Sequence, residues 1–241
     1  MGLFSFLKPK KPVDQGFEPF VERSKKSGDY AVFQKKLLHK SLILLVVGRR
    51  GSGKTALGMK FLELFSRKTR KRCYILGYEN IKLPSWITKI GDVKDARNDS
   101  VVLIDEGALI FSARESMKDA NKAISNIMVV ARHKGLTLIF LSQNSAMIDL
   151  NILRLVDVLV LKEPSLLQSQ FERKALKDIY GEIKASFNAL ENKNAHFYVY
   201  DDDYQGMLSF SLPGFWSDEI SKSFKDKGAL PMLKKTRPFS R

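Results

Sequence analysis

Eight consecutive residues, Gly48-Arg49-Arg50-Gly51-Ser52-Gly53-Lys54-Thr55, combine what is needed to hold a chain of phosphates. Small residues at positions 48, 51, 52 and 53 let successive backbone N–H groups curl around an anion. A helix opening at the end of such a bend adds the positive end of its dipole. Lys54 reaches the β- and γ-oxygens, and the Thr55 hydroxyl is the expected ligand of a Mg2+ ion bridging them. Arg49 and Arg50 fill variable positions, where they either contact phosphate, line a channel or stand in solvent. Downstream, Val101-Val102-Leu103-Ile104-Asp105-Glu106 is an apolar run ending in two carboxylates. A buried strand with this ending delivers charge to the C-terminal rim of a sheet, where ligands bind in open α/β architectures. Asp105 is placed to partner the metal directly or through water, and Glu106 to orient and deprotonate a water for attack on the γ-phosphate. A third apolar run ends in Ser142-Gln143-Asn144, where Gln143 is either a sensor of the attacking water or terminal phosphate, or a polar cap on exposed backbone.

These residues need a scaffold that brings several strand ends together. Ser41 to Val47 (SLILLVV) reads as a strand that is continuously apolar from Leu42 on, as a parallel strand covered on both faces requires. A helix is predicted from about Thr55 to Phe65, then strands at Arg72 to Leu76, Val101 to Ile104, Leu136 to Leu141 and Val156 to Leu161. Between the third and fourth strands, Glu115 to Lys134 carries apolar residues at three- and four-residue spacings and stops at Gly135, which reads as an amphipathic crossover helix. This alternation gives an α/β fold with a doubly wound parallel sheet and flanking helices. If the strands run 5-1-4-3-2, the fourth lies between the phosphate-loop strand and the acidic strand, and its tip faces the γ-phosphate. After Pro164 come a basic helical stretch to about Glu191 and a strand pair, His196 to Tyr200 and Met207 to Leu212, with Asp201-Asp202-Asp203 in the hairpin loop. Four regions follow: a basic N-terminal extension (1–40), a phosphate-loop core (41–165), a small C-terminal α+β appendage completing the domain (166–220), and a basic tail (221–241).

Composition narrows the classes. The 241 residues are ordinary for a globular chain, with 44% hydrophobic and 28% charged, which argues against disordered, collagen-like and coiled-coil classes. Cys73 is the only cysteine, so an intrachain disulfide and a multi-cysteine zinc site are excluded, and a reducing, cytoplasmic setting fits. The longest uninterrupted apolar run, Leu42 to Val47, is far short of the ~20 residues that span a bilayer. The opening MGLFSFLKPKKP reads neither as a signal peptide nor as a myristoylation site; it is either a hydrophobic-basic hook for a membrane or partner, or a solvated terminus. A formal net charge of +15, with a cluster at Arg67-Lys68-Thr69-Arg70-Lys71-Arg72, suits salt-sensitive, sequence-independent contact with DNA phosphates, although most such runs are merely solvated. Phe197, Tyr198, Tyr200, Tyr204, Phe210, Phe215 and Trp216 offer faces for single-stranded bases, while the alternation over 197–200 is more simply a half-buried strand.

The phosphate loop, the Asp105-Glu106 pair, Arg132-His133-Lys134-Gly135 before a strand, and that strand's end at Gln143 resemble the FtsK/HerA group of P-loop ATPases. Within it, Asp105-Glu106-Gly107-Ala108 with Phe111 and Arg114, Ala131-Arg132-His133-x-Gly135, and Ser142-Gln143-Asn144 followed by Ile148-Asp149 are most similar to the Zot-like ATPases of filamentous-phage assembly. The similarity spans about 41 to 162. Zot-like phage proteins usually carry a transmembrane segment, and no apolar run of that length is found here.

The resemblance implies a RecA-like P-loop NTPase with ATP and Mg2+ as ligand and cofactor. It implies a ring, commonly a hexamer, in which an arginine of one subunit reaches its neighbour's γ-phosphate; Arg114, Arg132 and Arg154 are the candidates, and Arg132 alternatively clamps the acidic strand. The leading expectation is an ATP-driven motor that packages or translocates DNA. The alternative is a morphogenesis or extrusion ATPase acting on coat protein at a membrane, reached through the N-terminus. A small-molecule kinase shares the loop but leaves Glu106 without a role.

Overall fold

A computed structural model describes residues 16–77, 81–105, 117–143, 153–164, 174–217 and 220–221. Their nine strands form one sheet: β1 (Val21–Gly28), β2 (Ile43–Val47), β3 (Cys73–Leu76), β4 (Ile87–Ile90), β5 (Val101–Asp105), β6 (Thr137–Ser142), β7 (Val158–Leu161), β8 (His196–Tyr200) and β9 (Tyr204–Ser209). The order is β1-β9-β8-β7-β2-β6-β5-β3-β4. Its centre, β7-β2-β6-β5-β3, is the 5-1-4-3-2 order expected from the sequence, with parallel pairing throughout. β4 extends one side in parallel, and β8, β9 and β1 extend the other as an antiparallel meander.

Among the described residues four α-helices cover the two faces: α1 (Tyr30–His39), α2 (Lys54–Lys68), α3 (Met117–Lys134) and α4 (Lys174–Asn188). Alternation along β2 sorts its side chains. Leu44 and Val46 join the core under α1 and α2, while Ile43, Leu45 and Val47 join the core under α3 and α4. Because β2 is buried at every position, its sequence is continuously apolar.

Of the stretch expected as an N-terminal extension, β1 is a strand of this sheet and α1 packs on its face. α1 is capped by Asp29, whose Oδ1 accepts from Ala31 N at 2.7 Å, and buries Phe33 and Leu37. β1 is exposed along its whole length, so VERSKKSG shows no apolar alternation; pairing with β9, not burial, makes it a strand. The Asp201-Asp202-Asp203 loop is the expected hairpin turn, with Lys36 bridging Asp201 at 2.7 Å and Asp203 at 3.0 Å.

The late aromatic residues are mostly core, which corrects their reading as stacking platforms. Phe197 and Tyr204 are 0% exposed, and Phe197 meets Phe20 edge-on at 5.0 Å and Phe210 at 5.9 Å. Buried side chains of this kind have no face left for a base; Phe215 and Trp216 pack partly buried on the same core.

α2 is buried on nearly all sides, and two of its three buried charged residues, Lys60 and Glu63, neutralise each other. Lys60 Nζ donates to Glu63 Oε2 at 2.7 Å with the side chains 1% and 4% exposed. Glu63 Oε1 accepts from Gly214 N at 2.9 Å, and Lys60 Nζ stands 4.9 Å from the Phe17 ring centre. Among the described residues no helix is long and apolar enough to cross a membrane.

Candidate nucleotide site

The loop between β2 and α2 is held open by two constraints. Gly53 takes φ +85° and opens α2, with Leu57 N donating to its carbonyl at 3.0 Å; this left-handed position favours glycine. Gly48 has no room for a side chain: a Cβ there would stand 2.5 Å from Lys162 Cβ and 2.9 Å from Ser52 Oγ. Within the loop Ser52 N donates to Arg49 O at 3.2 Å. Lys54 is buried and folds back, donating to the carbonyls of Gly48 at 2.7 Å and Arg49 at 3.0 Å.

Among the described residues one buried side-chain atom is unsatisfied, and it lies in the loop. Ser52 Oγ is buried and has no hydrogen-bond partner, although its residue is only 1% exposed. Leaving such a group unpaired costs about 1–3 kcal/mol. A ligand with acceptor oxygens in the bend would remove that cost. The orphan hydroxyl, the Lys54 ammonium on replaceable carbonyls and the first turn of a 15-residue helix all fit a phosphate chain.

The acidic strand ends on the same rim. In register, Val47 of β2 pairs with Ser142 of β6, and Leu141 of β6 with Asp105 of β5. Strands lie ~4.8 Å apart, so Asp105 sits about 10 Å across the rim from the start of the loop. That distance suits a cation between carboxylate and phosphates. Gln143 follows directly on β6, between loop and carboxylate, where the expected strand order put it. Thr55 is half-buried in the first turn of α2, and Arg50 is exposed. Among the described residues no His, Cys, Asp or Glu cluster forms a separate metal centre.

The structure does not gather every expected residue. Arg132 lies exposed in the last turn of α3, beside the start of β6 and hence on the opposite rim from the loop. β6 alone is about 20 Å long, so Arg132 does not reach the site of its own chain. Arg154 precedes β7 at the same far rim, as does the 67–72 run between α2 and β3. Lys71 of that run is half-buried and structural, donating to Lys40 O at 2.9 Å and Thr137 Oγ1 at 3.1 Å. Glu106, Gly107, Ala108, Phe111, Arg114, Asn144, Ile148 and Asp149 fall outside the described residues, as do the first fifteen residues and the tail beyond 221.

Three residues beside the loop were missed by the sequence reading. Lys162, the first residue after β7, is 0% exposed, and its Nζ donates to the carbonyls of Asn194 at 2.7 Å and His196 at 2.6 Å. Glu163 accepts from Arg49 at 2.7 Å and from Lys193 at 2.9 Å. Burial, then the Lys54 charge, push the Lys162 ammonium down to about 7, against an opposing pull from Glu163. The available signal was a lysine directly following a fully apolar strand next to the phosphate-loop strand.

The sheet order, the glycine bend opening a helix and the carboxylate two strands away on the same rim define a RecA-like P-loop NTPase fold. The chain belongs to the Zot family: the family model described as zonular occludens toxin (Zot) matches residues 79–206, more than half of the chain. The match takes in Asp105, Gln143 and Lys162 and begins after the phosphate loop. Among solved structures, the chain is similar to the genome packaging NTPase B204 from Sulfolobus turreted icosahedral virus 2 in complex with sulfate. Identity is 19%, coverage 73% of this chain and 98% of that one, and TM-score 0.50. The same protein with ATP-gammaS matches at 19% identity, 72% and 98% coverage and TM-score 0.49. The pCW3 conjugation coupling protein TcpA, as a monomer with ATPgS, matches at 16% identity, 78% and 65% coverage and TM-score 0.49. No curated protein matches the chain.

Proposed function

We propose that the chain binds and hydrolyses ATP with Mg2+, and that as one subunit of a ring it drives the movement or packaging of DNA. The observation that carries the first part is the geometry of one rim. A bend with an orphaned buried hydroxyl and a folded-back lysine faces, across two strand spacings, a carboxylate at the end of β5. Lys54 leaves the carbonyls of Gly48 and Arg49 for the β- and γ-oxygens, and Ser52 Oγ gains a partner. Thr55 and Asp105 are the residues that would hold Mg2+, which neutralises charge on the phosphate oxygens. Glu106 is assigned as the base that takes a proton from the attacking water, with Gln143 orienting that water.

The second part has three supports. The chain carries a formal net charge of +15. The fold it shares with B204 is that of a protein described as a genome packaging NTPase. The far rim, which carries Arg67, Lys68, Arg70 and Arg72, also carries Arg132 and Arg154. A ring brings one subunit's arginine to its neighbour's nucleotide; Arg132, exposed and outside its own site, is assigned that role in a hexamer. The setting is the cytoplasm, with the N-terminal residues as the contact to a membrane or a coat or capsid protein. Membership of the Zot family favours the second reading, in which the same hydrolysis drives coat-protein assembly or extrusion.

DNA stimulation separates the two. The ATPase rate is measured with and without double- and single-stranded DNA over a salt series. A DNA motor shows stimulation that disappears as salt rises; a rate indifferent to both DNA forms at low salt overturns the DNA assignment and leaves coat-protein assembly.

A further inference from the structure

The phosphate loop rests on a second lysine. Lys162 is wholly buried; its Cβ closes the space beside Gly48, and its ammonium lies 3.8 Å from where a Gly53 Cβ would be. Both glycines belong to the bend that would hold the phosphates. The ammonium is fixed from the other side by the carbonyls of Asn194 and His196, and it stands 4.8 Å from the Phe210 ring centre. Asn194 O would itself lie 3.3 Å from a Gly53 Cβ, so the segment leading into β8 is packed against the loop. Glu163, the next residue, ties Arg49 of the loop to Lys193 of the same segment. A buried cation is costly in a fold unless something draws on its charge. Here carbonyl dipoles and a ring face hold it, Glu163 draws on its charge, and the ionic group that acts on it most strongly is the like charge of Lys54.

We propose that Lys162 is a positioning residue of the nucleotide site, a cation beneath the phosphate loop that pins Gly48 and Gly53 to the 192–196 segment and favours the charge of bound phosphates through the loop. This rests on the ATP reading above and adds to it a residue that no loop motif contains. The charged groups facing Lys162 are Lys54 on α2 and the adjacent Glu163, the latter tied to Arg49 on the loop and Lys193 before β8. The His196 ring nitrogen bonds Asn192 O and is present unchanged in every variant below.

The consequence is a proton taken up with the nucleotide. Without phosphate, burial and Lys54 hold the Lys162 ammonium down to about 7. Phosphate charge in the bend offsets the Lys54 repulsion and raises it, so affinity is full at low pH and falls as pH rises past about 7.

The test is titration calorimetry of Mg2+·ATPγS with the full chain from about pH 6 to about pH 8, in buffers of different ionisation enthalpy. Wild type is expected to lose about tenfold in affinity over this range and to take up close to one proton near pH 8. Lys162→Met, which keeps the volume, is expected to bind weakly with a flat profile. Glu163→Gln, a partly exposed change that preserves Lys162, is expected to move the midpoint to lower pH. It keeps the question answerable if Lys162→Met does not fold. A wild-type profile that is flat, a Lys162→Met profile parallel to wild type, or an unmoved midpoint in Glu163→Gln overturns the proposal while leaving ATP binding intact. Wild type that binds no nucleotide at any pH overturns the ATP reading and this proposal together.

Discussion

Replacing Lys60 by methionine tests whether the phosphate-loop helix is held by a buried ion pair. In Lys60→Met the volume is kept, but Glu63, 4% exposed, loses the cation 2.7 Å away and keeps, among the described residues, the Gly214 N–H. Breaking one side of a buried pair costs about 3–5 kcal/mol, because the remaining charge is stranded. Loss of the contact with the Phe17 ring adds roughly 0.5–2 kcal/mol. For a chain of this length each kcal/mol lowers the melting temperature by about 2–4 °C, so a fall of about 10–20 °C is expected. In Lys60→Met/Glu63→Met no charge is stranded and Gly214 N loses its acceptor, worth about 1–2 kcal/mol. The double variant should therefore be more stable than the single one. Urea unfolding of wild type, both single variants and the double gives the coupling directly. A single-variant cost below about 1 kcal/mol, or strict additivity in the double, refutes the reasoning.

Other consequences are simpler to state. Gly58→Ala, ordinarily a gain of about 1 kcal/mol in a helix, should here destabilise by about 1–3 kcal/mol in thermal melts. The new methyl would lie 2.8 Å from Leu103 Cδ1 and 3.2 Å from Leu141 Cδ2, which are packed in the core. Burial pushes the Cys73 thiol up to about 12, so it should resist a thiol reagent in the native state and react at the rate of unfolding. Burial also holds Lys162 down to about 7, below its ordinary 10.5, so above pH 7 the unfolded chain binds the extra proton. Stability should therefore rise by about 1.4 kcal/mol per pH unit from about pH 7 to 9 relative to Lys162→Met, as read from paired denaturation curves.

What could be read from the residues was whatever burial or backbone necessity wrote into them. ILLVV, CYIL and VVLI are apolar throughout because each strand is covered on both faces, and the glycines at 48 and 53 are fixed by a close approach and a left-handed backbone. The central strand order came with the RecA-like fold, to which the phosphate-loop pattern and the acidic strand end pointed. β1 left no trace, since its residues are all exposed and its strand character comes from β9, far away in sequence. β4 was missed for a similar reason, having only Ile87 buried in a four-residue edge strand. Arg132 was expected, from the resemblance, to act on a neighbouring subunit's nucleotide or to clamp the acidic strand, and the sequence did not say on which rim it stands. The helix carries it to the opposite rim. Lys162 was overlooked because a lysine after a strand ordinarily meets water, and its cover comes from the 192–196 segment and Phe210, thirty and more residues on.

The central claim is that a triphosphate lies in the bend after β2 and is cut there by a water activated from the end of β5. It is tested most directly by incubating the chain with ATP and Mg2+, with no phosphate acceptor added, and following free phosphate and nucleotide binding in wild type, Lys54→Ala and Glu106→Gln. The account predicts free phosphate from wild type, weak binding by Lys54→Ala, and in Glu106→Gln retained binding with turnover lower by about 100-fold or more. Turnover at the wild-type rate in Glu106→Gln, or a γ-phosphoryl group that passes only to a supplied acceptor with no free phosphate formed in its absence, would contradict it.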